Sequence, residues 1–196
     1  MDLPHVPVGL AAAPVGASLR QQVDPATPRW LLPLARALVL VNRGVMVLGM
    51  IALLASALVL TSSVVTRYFL HASTDWQDEA SVFCLVGATF LCSAFVQAIR
   101  GHVGIEAVSS LLSPRVNQVR VAIVDIGCLA FCAFFAWKSC TLLHEAWTEG
   151  QTTSSSWAPP LWIPYSLMAS GMSLLTVQLA LQLVASLNAV ARRGVA

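Results

Sequence analysis

The residues of this chain that could do chemistry are few, and most sit at the ends of apolar runs. His144–Thr148 reads HEAWT, which lacks the second histidine of the HExxH zinc signature, so this helix offers no ligand pair. His71, His102 and His144 lie at the ends of apolar runs and His5 in the N-terminal tail, not at one depth as bis-histidine haem ligation requires. There is no Ser/His/Asp set within the apolar runs and no glycine loop for phosphate. Cys128 and Cys132 share a helix face at i, i+4, a spacing that suits a buried thiol pair or metal site. Small packing residues in a helix bundle need the same spacing. None of the five cysteines forms a CxxC pair. The sequence therefore predicts no catalytic residue, no cofactor and no metal.

Charged groups are the remaining candidates. Asp125 and Lys138 lie inside an otherwise uncharged run, and a charge inside a membrane span is a functional candidate by default. At 3.6 residues per turn they fall roughly 220° apart on the wheel, so they do not pair with each other. A bridge to another helix, snorkelling or an ion path would each account for them. A denser group is RYFLHASTDWQDE, from Arg67 to Glu79. Thr74 followed by Gln77 fits a capping box. Asp75, Asp78 and Glu79 then meet the positive end of a helix dipole. Tyr68 and Trp76 suit an aromatic belt. The segment reads first as a capped turn; the second reading is a clamp, in which Arg67 and Glu79 form a bidentate pair between two helices at matching depth.

The elements that must position these residues are greasy helices. The chain has 196 residues, 57% hydrophobic and only 10% charged, whereas soluble domains carry about 25% charge. Its mean hydropathy is +0.76. Gly44–Thr66 has no ionisable side chain, and at about 1.5 Å per residue it is roughly 35 Å long, enough to cross a core of about 30 Å. Ala80–Ile99, Val121–Leu143 and Pro164–Val190 are three further runs. The expected fold is an all-α integral membrane protein with four transmembrane helices, over about 44–66, 80–99, 121–143 and 164–190. Before them come a disordered Pro-rich tail, 1–29, and a helical lead-in, 30–43. Residues 44–193 make a single membrane domain, with the lipid bilayer as its solvent.

The connection after span two reads GHVGIEAVSSLLSPR. On a helical wheel Val103, Gly104, Ile105, Ala107, Val108, Leu111 and Leu112 fill one arc of about 200°. His102, Glu106, Ser109, Ser110 and Ser113 fill the rest. Residues 102–113 thus read as a helix lying in the membrane interface, ended by Pro114; docking on another protein's membrane domain fits the same pattern.

Nine of the eleven Lys and Arg residues fall on the two termini and this middle connection, and two on the others. The positive-inside rule places both termini and the middle connection in the cytoplasm. Scattered singly at membrane edges, these arginines make no nucleic-acid surface.

With those elements in order, the chain resembles the small membrane subunit of TRAP transporters, the DctQ-type family. The resemblance runs from about Arg43 to Val190 and rests on RYF closing span one, WQDE opening span two, GHVGIE after it, and WIPY opening span four. It implies a bacterial inner-membrane system of three parts: a periplasmic substrate-binding protein, a large multi-span membrane subunit and this small one. Such systems import organic acids, usually with a sodium gradient, and substrate and ion sites belong to the large subunit. The small subunit is implied to buttress an immobile scaffold, with 102–113 as an arm of it. Arg67, Trp76, Glu79, His102, Glu106, Asp125 and Lys138 are then structural or interface residues. The competing reading is a free-standing four-span redox or quinone-linked enzyme using Cys128 and Cys132.

Overall fold

The computed structural model describes residues 29–71, 73–99 and 114–193. The segment expected to lie in the interface, 102–113, and with it His102 and Glu106, falls outside the described residues. A single 3-10 turn, Arg29–Leu31, leads into four helices: α1 Leu32–Leu70, α2 Asp75–Ala98, α3 Pro114–Thr148 and α4 Trp162–Arg193. All four contain a stretch long and apolar enough to cross a membrane.

Helix α1 starts with proline in its first turn, where the missing N–H leaves no bond unmade. It runs unbroken for 39 residues, about 58 Å at 1.5 Å per residue and well beyond a core of about 30 Å. It closes at His71, which takes the left-handed conformation (φ 52°) common after a helix end. Four residues later, at Asp75, α2 begins and runs back. The α3–α4 loop lies at the same end of the bundle as this turn, called the loop end below. A bridge between Thr152 and Pro160 narrows it, and the Trp147 and Trp162 rings meet edge to face across its base at 5.1 Å.

The packing order is α1–α2–α4–α3, so the middle helices are α2 and α4. In the most apolar windows of α2 and α4, 28% of residues are buried, against 11% in α1 and α3. The flanking helices therefore display leucine, valine and phenylalanine outward. That distribution would be costly in water but suits lipid, which is as apolar as the side chains themselves. The interior is correspondingly small and polar: the largest fully buried side chains are Asn42, Ser56, Ser63 and Ser81. Lipid supplies no hydrophobic drive between helices, so close backbone approach and hydrogen bonds hold them.

Small residues make that approach. Ser56 donates from α1 to the Ser81 carbonyl at 3.2 Å. A Cβ added at Gly49 would strike the Cys92 Sγ of α2. At Gly171 it would strike backbone itself, the Phe90 carbonyl oxygen, with Phe90 C at 2.5 Å and Leu91 N at 2.9 Å. Ala169, one turn before Ser173 in α4, is 4% exposed. Between α3 and α4 the contact is larger in volume: Cys132, Ala136, Met172 and Leu179 form a cluster backed by Phe90, Leu129, Phe135 and Leu175. Phe90 stacks on Phe135 at 6.2 Å, bringing α2 to the edge of α3.

Candidate functional site

Among the described residues, a cluster of polar side chains crosses between helices at each end of the bundle. At the loop end, the last turns of α1 meet the first turn of α2. Arg67 is basic in the last turn of α1 and Asp78 acidic in the first turn of α2, so each sits where the helix dipole favours its charge. Arg67 Nη2 and Asp78 Oδ2 are 2.7 Å apart. The same guanidinium donates to Thr74 Oγ1 from Nη2 at 2.8 Å and Nε at 3.3 Å. Ser63, one turn deeper on α1, donates to Asp78 Oδ1 at 3.0 Å. Asp75 accepts from Ser156 at 2.7 Å, which pins the α3–α4 loop over the start of α2. An open cleft lined by Arg67, His71, Ser73, Thr74, Asp75 and Asp78 lies above the group.

This geometry corrects two expectations. The clamp between α1 and α2 exists, but its acid is Asp78 and not Glu79. Glu79 is half-buried, with Oε2 out of water and without a hydrogen-bond partner. Adjacent helix positions diverge by about 100°, so only one of the two carboxylates can point at α1. The Thr74–Gln77 capping box is also absent. Thr74 is the N-cap residue, yet its side chain makes no capping bond, because the hydroxyl is turned to Arg67. Its backbone carbonyl instead accepts from the amides of Gln77 and Asp78 at 3.0 and 3.2 Å.

At the opposite end, four side-chain amides join three helices. Asn42 of α1 donates to Gln178 Oε1 of α4 at 3.3 Å. Gln97 of α2 donates to Gln182 Oε1 at 2.8 Å, and Gln182 Nε2 returns a bond to the Gln97 carbonyl at 2.9 Å. Gln178 and Gln182 are one turn apart, so a single edge of α4 binds both neighbours. Beside them is a cavity of about 10 Å³ lined by Val39, Asn42, Phe95, Ala98 and Ile99, about the space of one water. Asn42 is 1% exposed and its Oδ1 has no protein donor.

The remaining candidates stand apart. Trp76 is exposed in the first turn of α2. Asp125 is half-buried on α3. Lys138 is exposed on that helix, with Nζ 5.0 Å from the Trp137 ring centroid. Cys128 is exposed whereas Cys132 is buried, so the two face different surroundings. Among the described residues no group of three His, Cys, Asp or Glu side chains could hold a metal ion.

The pairing of Asp78 with Arg67, the role of Ser63 and the amide group are not legible from the pattern of charges. A signal for the amides was present: Gln178 and Gln182 stand at helical spacing inside a run with no charge, where a polar side chain needs a partner on another helix.

Comparison with known proteins agrees with this architecture. The chain is 26% identical over 140 residues to the isethionate TRAP transporter permease protein DctMQ of Oleidesulfovibrio alaskensis, a match covering 68% of this chain and 21% of that protein. The chain thus corresponds to about a fifth of that relative's length. No solved structure matches it. The model of the DctQ component of tripartite ATP-independent periplasmic transporters matches residues 56–189. That match takes in the C-terminal part of α1, all of α2 and α3 and almost all of α4, so this four-helix membrane protein belongs to the DctQ component family of TRAP transporters.

Proposed function

We propose that this chain is the small, non-catalytic scaffold subunit of a TRAP-type importer, supporting a large multi-span membrane subunit that carries the substrate. The observation carrying this reading is the pairing of a DctQ match over residues 56–189 with a relative named as a DctMQ permease, most of whose length lies outside the match. The polar groups at the two ends tie helix to helix, which is the work of a scaffold. A periplasmic substrate-binding protein completes the system, and import is coupled to an ion gradient, sodium in this reading. Organic acids are the proposed cargo class; the relative's printed substrate, isethionate, is an organic sulfonate. The bundle sits in a bacterial inner membrane, with residues 44–193 as one domain and 1–29 a tail outside it.

Co-purification from native membranes tests the assembly. The tagged chain is expected to retain a large multi-span protein, and its deletion to abolish uptake of the organic acid. Cys128→Ser with Cys132→Ser should leave uptake unchanged; loss of uptake with the complex intact would favour the redox reading. Recovery of the chain alone, with uptake unaffected by its deletion, would overturn the scaffold assignment.

Orientation follows from the basic residues: both termini and 101–118 face the cytoplasm. A single cysteine placed at 110 in a cysteine-free background is expected to resist an impermeant thiol reagent in intact cells and to react after permeabilisation. Labelling from outside would reverse the topology.

A further inference from the structure

Lys138 is an exposed cation on a helix whose neighbouring exposed residues, Phe131, Phe134 and Trp137, are aromatic. Its depth follows from the end of α3. Trp147 pairs with Trp162 at the loop end, and such rings mark the membrane interface. At about 1.5 Å per residue, Lys138 lies roughly 14 Å below Trp147 and roughly 9 Å below His144, well into a core of about 30 Å.

Snorkelling is poorly served here. A helical Cα–Cβ bond tilts toward the helix N-terminus. For a residue in the C-terminal third of α3 that direction leads toward the membrane centre, away from the nearer interface. This holds whichever way the protein is inserted.

Among the described residues the ammonium has no carboxylate within ion-pair distance, and it lies 5.0 Å from the Trp137 ring centroid. Asp78 is held by Arg67 and Ser63. Asp125 is on the other side of α3, and Glu145 is about 10 Å further along the axis. The described residues leave the charge for something else to balance. Lipid phosphates lie at headgroup level, beyond Trp147. An acid at Lys138's own depth must come from another transmembrane helix.

We infer that the face of α3 around Phe131, Phe134, Lys138 and Thr141 is the docking surface for the large membrane subunit, which presents a buried carboxylate to Lys138. The inference rests on the reading that such a subunit exists, and adds which face meets it and through what chemistry. The aromatic side chains supply the apolar area and the ion pair the register. Between Gly44 and Thr66 the outward face of α1, with Leu54, Leu58 and Val64, is apolar and exposed without a charge, and is left to lipid.

A photo-cross-linking phenylalanine analogue, placed at 134 or 141 of the complete complex in its membrane, is expected to capture the large subunit. At 54 or 58 it should capture phospholipid. Lys138→Gln should reduce retention of the large subunit at least about tenfold, because it leaves the facing carboxylate buried and unpaired, while Lys138→Arg keeps most of it. The Gln variant expressed without the large subunit should accumulate as the unmodified chain does. Cross-links from 134 and 141 to lipid alone, with the large subunit still co-purifying, would overturn the assignment, as would equal retention by the Gln and Arg variants. Failure of the unmodified chain to bring down any large subunit would overturn the scaffold reading, and this surface with it.

Discussion

Gly171→Ala is expected to be the most damaging single-methyl change in the bundle. Its new Cβ would meet the Phe90 carbonyl oxygen, with Phe90 C at 2.5 Å and Leu91 N at 2.9 Å. These are backbone atoms inside a helix, so no rotamer change relieves the contact and α2 and α4 must separate. Overpacking costs about 1–3 kcal/mol, more than the gain of about 1 kcal/mol from replacing glycine in a helix. Separation would also stretch the paired Gln97–Gln182 bonds. Gly127→Ala, where an added methyl meets nothing within 4 Å, is the control and should be neutral or slightly stabilising. Gly49→Ala is intermediate in kind: it strikes the Cys92 side chain, and Cys92→Ala should recover much of the loss. Unfolding in mixed micelles measures all four variants. Equal stability of Gly171→Ala and Gly127→Ala would refute close backbone packing between α2 and α4.

The second large effect is expected at Asp78. Its side chain and that of Arg67 are 46% and 62% exposed, so their ion pair contributes about 0.2–1 kcal/mol. Asp78→Ala removes more than the pair, because the hydroxyl of Ser63, 2% exposed, loses its acceptor. An unsatisfied buried group costs about 1–3 kcal/mol, lessened where serine can turn to a carbonyl one turn back. The total for Asp78→Ala should be about 1–2 kcal/mol. Arg67→Ala should cost less than about 1 kcal/mol. Asp78→Asn keeps an acceptor for Ser63 while removing the charge, so it should fall between the unmodified chain and Asp78→Ala. A double-mutant cycle should find coupling between Arg67 and Asp78 and almost none between Arg67 and Glu79. The reverse order would mean that Glu79, and not Asp78, closes the clamp.

Sequence by itself determined the class of the molecule, because span length and freedom from charge are local properties that the bilayer reads one helix at a time. Gly44–Thr66 and Ala80–Ile99 need no partner to be recognised as spanning runs. It also offered, as one of two readings, an interhelical clamp at Arg67 and the start of α2. What it could not choose was the acid. Asp78 and Glu79 are adjacent, and the selection depends on how α2 is rotated about its own axis when it packs on α1. That rotation is set by contacts distant in sequence, such as Ser56 on the Ser81 carbonyl and Gly171 against Phe90. Thr74 shows the same limit. Its spacing to Gln77 describes a capping box, but a guanidinium delivered by another helix offers its hydroxyl a charged donor. The amide group at the other end joins residues up to 136 positions apart, and only the packing order α1–α2–α4–α3 brings them together. The extent of the third helix was likewise a tertiary matter: the expected third span ended at 143, whereas α3 continues to Thr148, where Trp147 meets Trp162. In lipid the apolar pattern decides that helices form and cross, but it is nearly the same on every side of them. Rotation and neighbour are decided by the few small and polar residues that only assembled helices can satisfy.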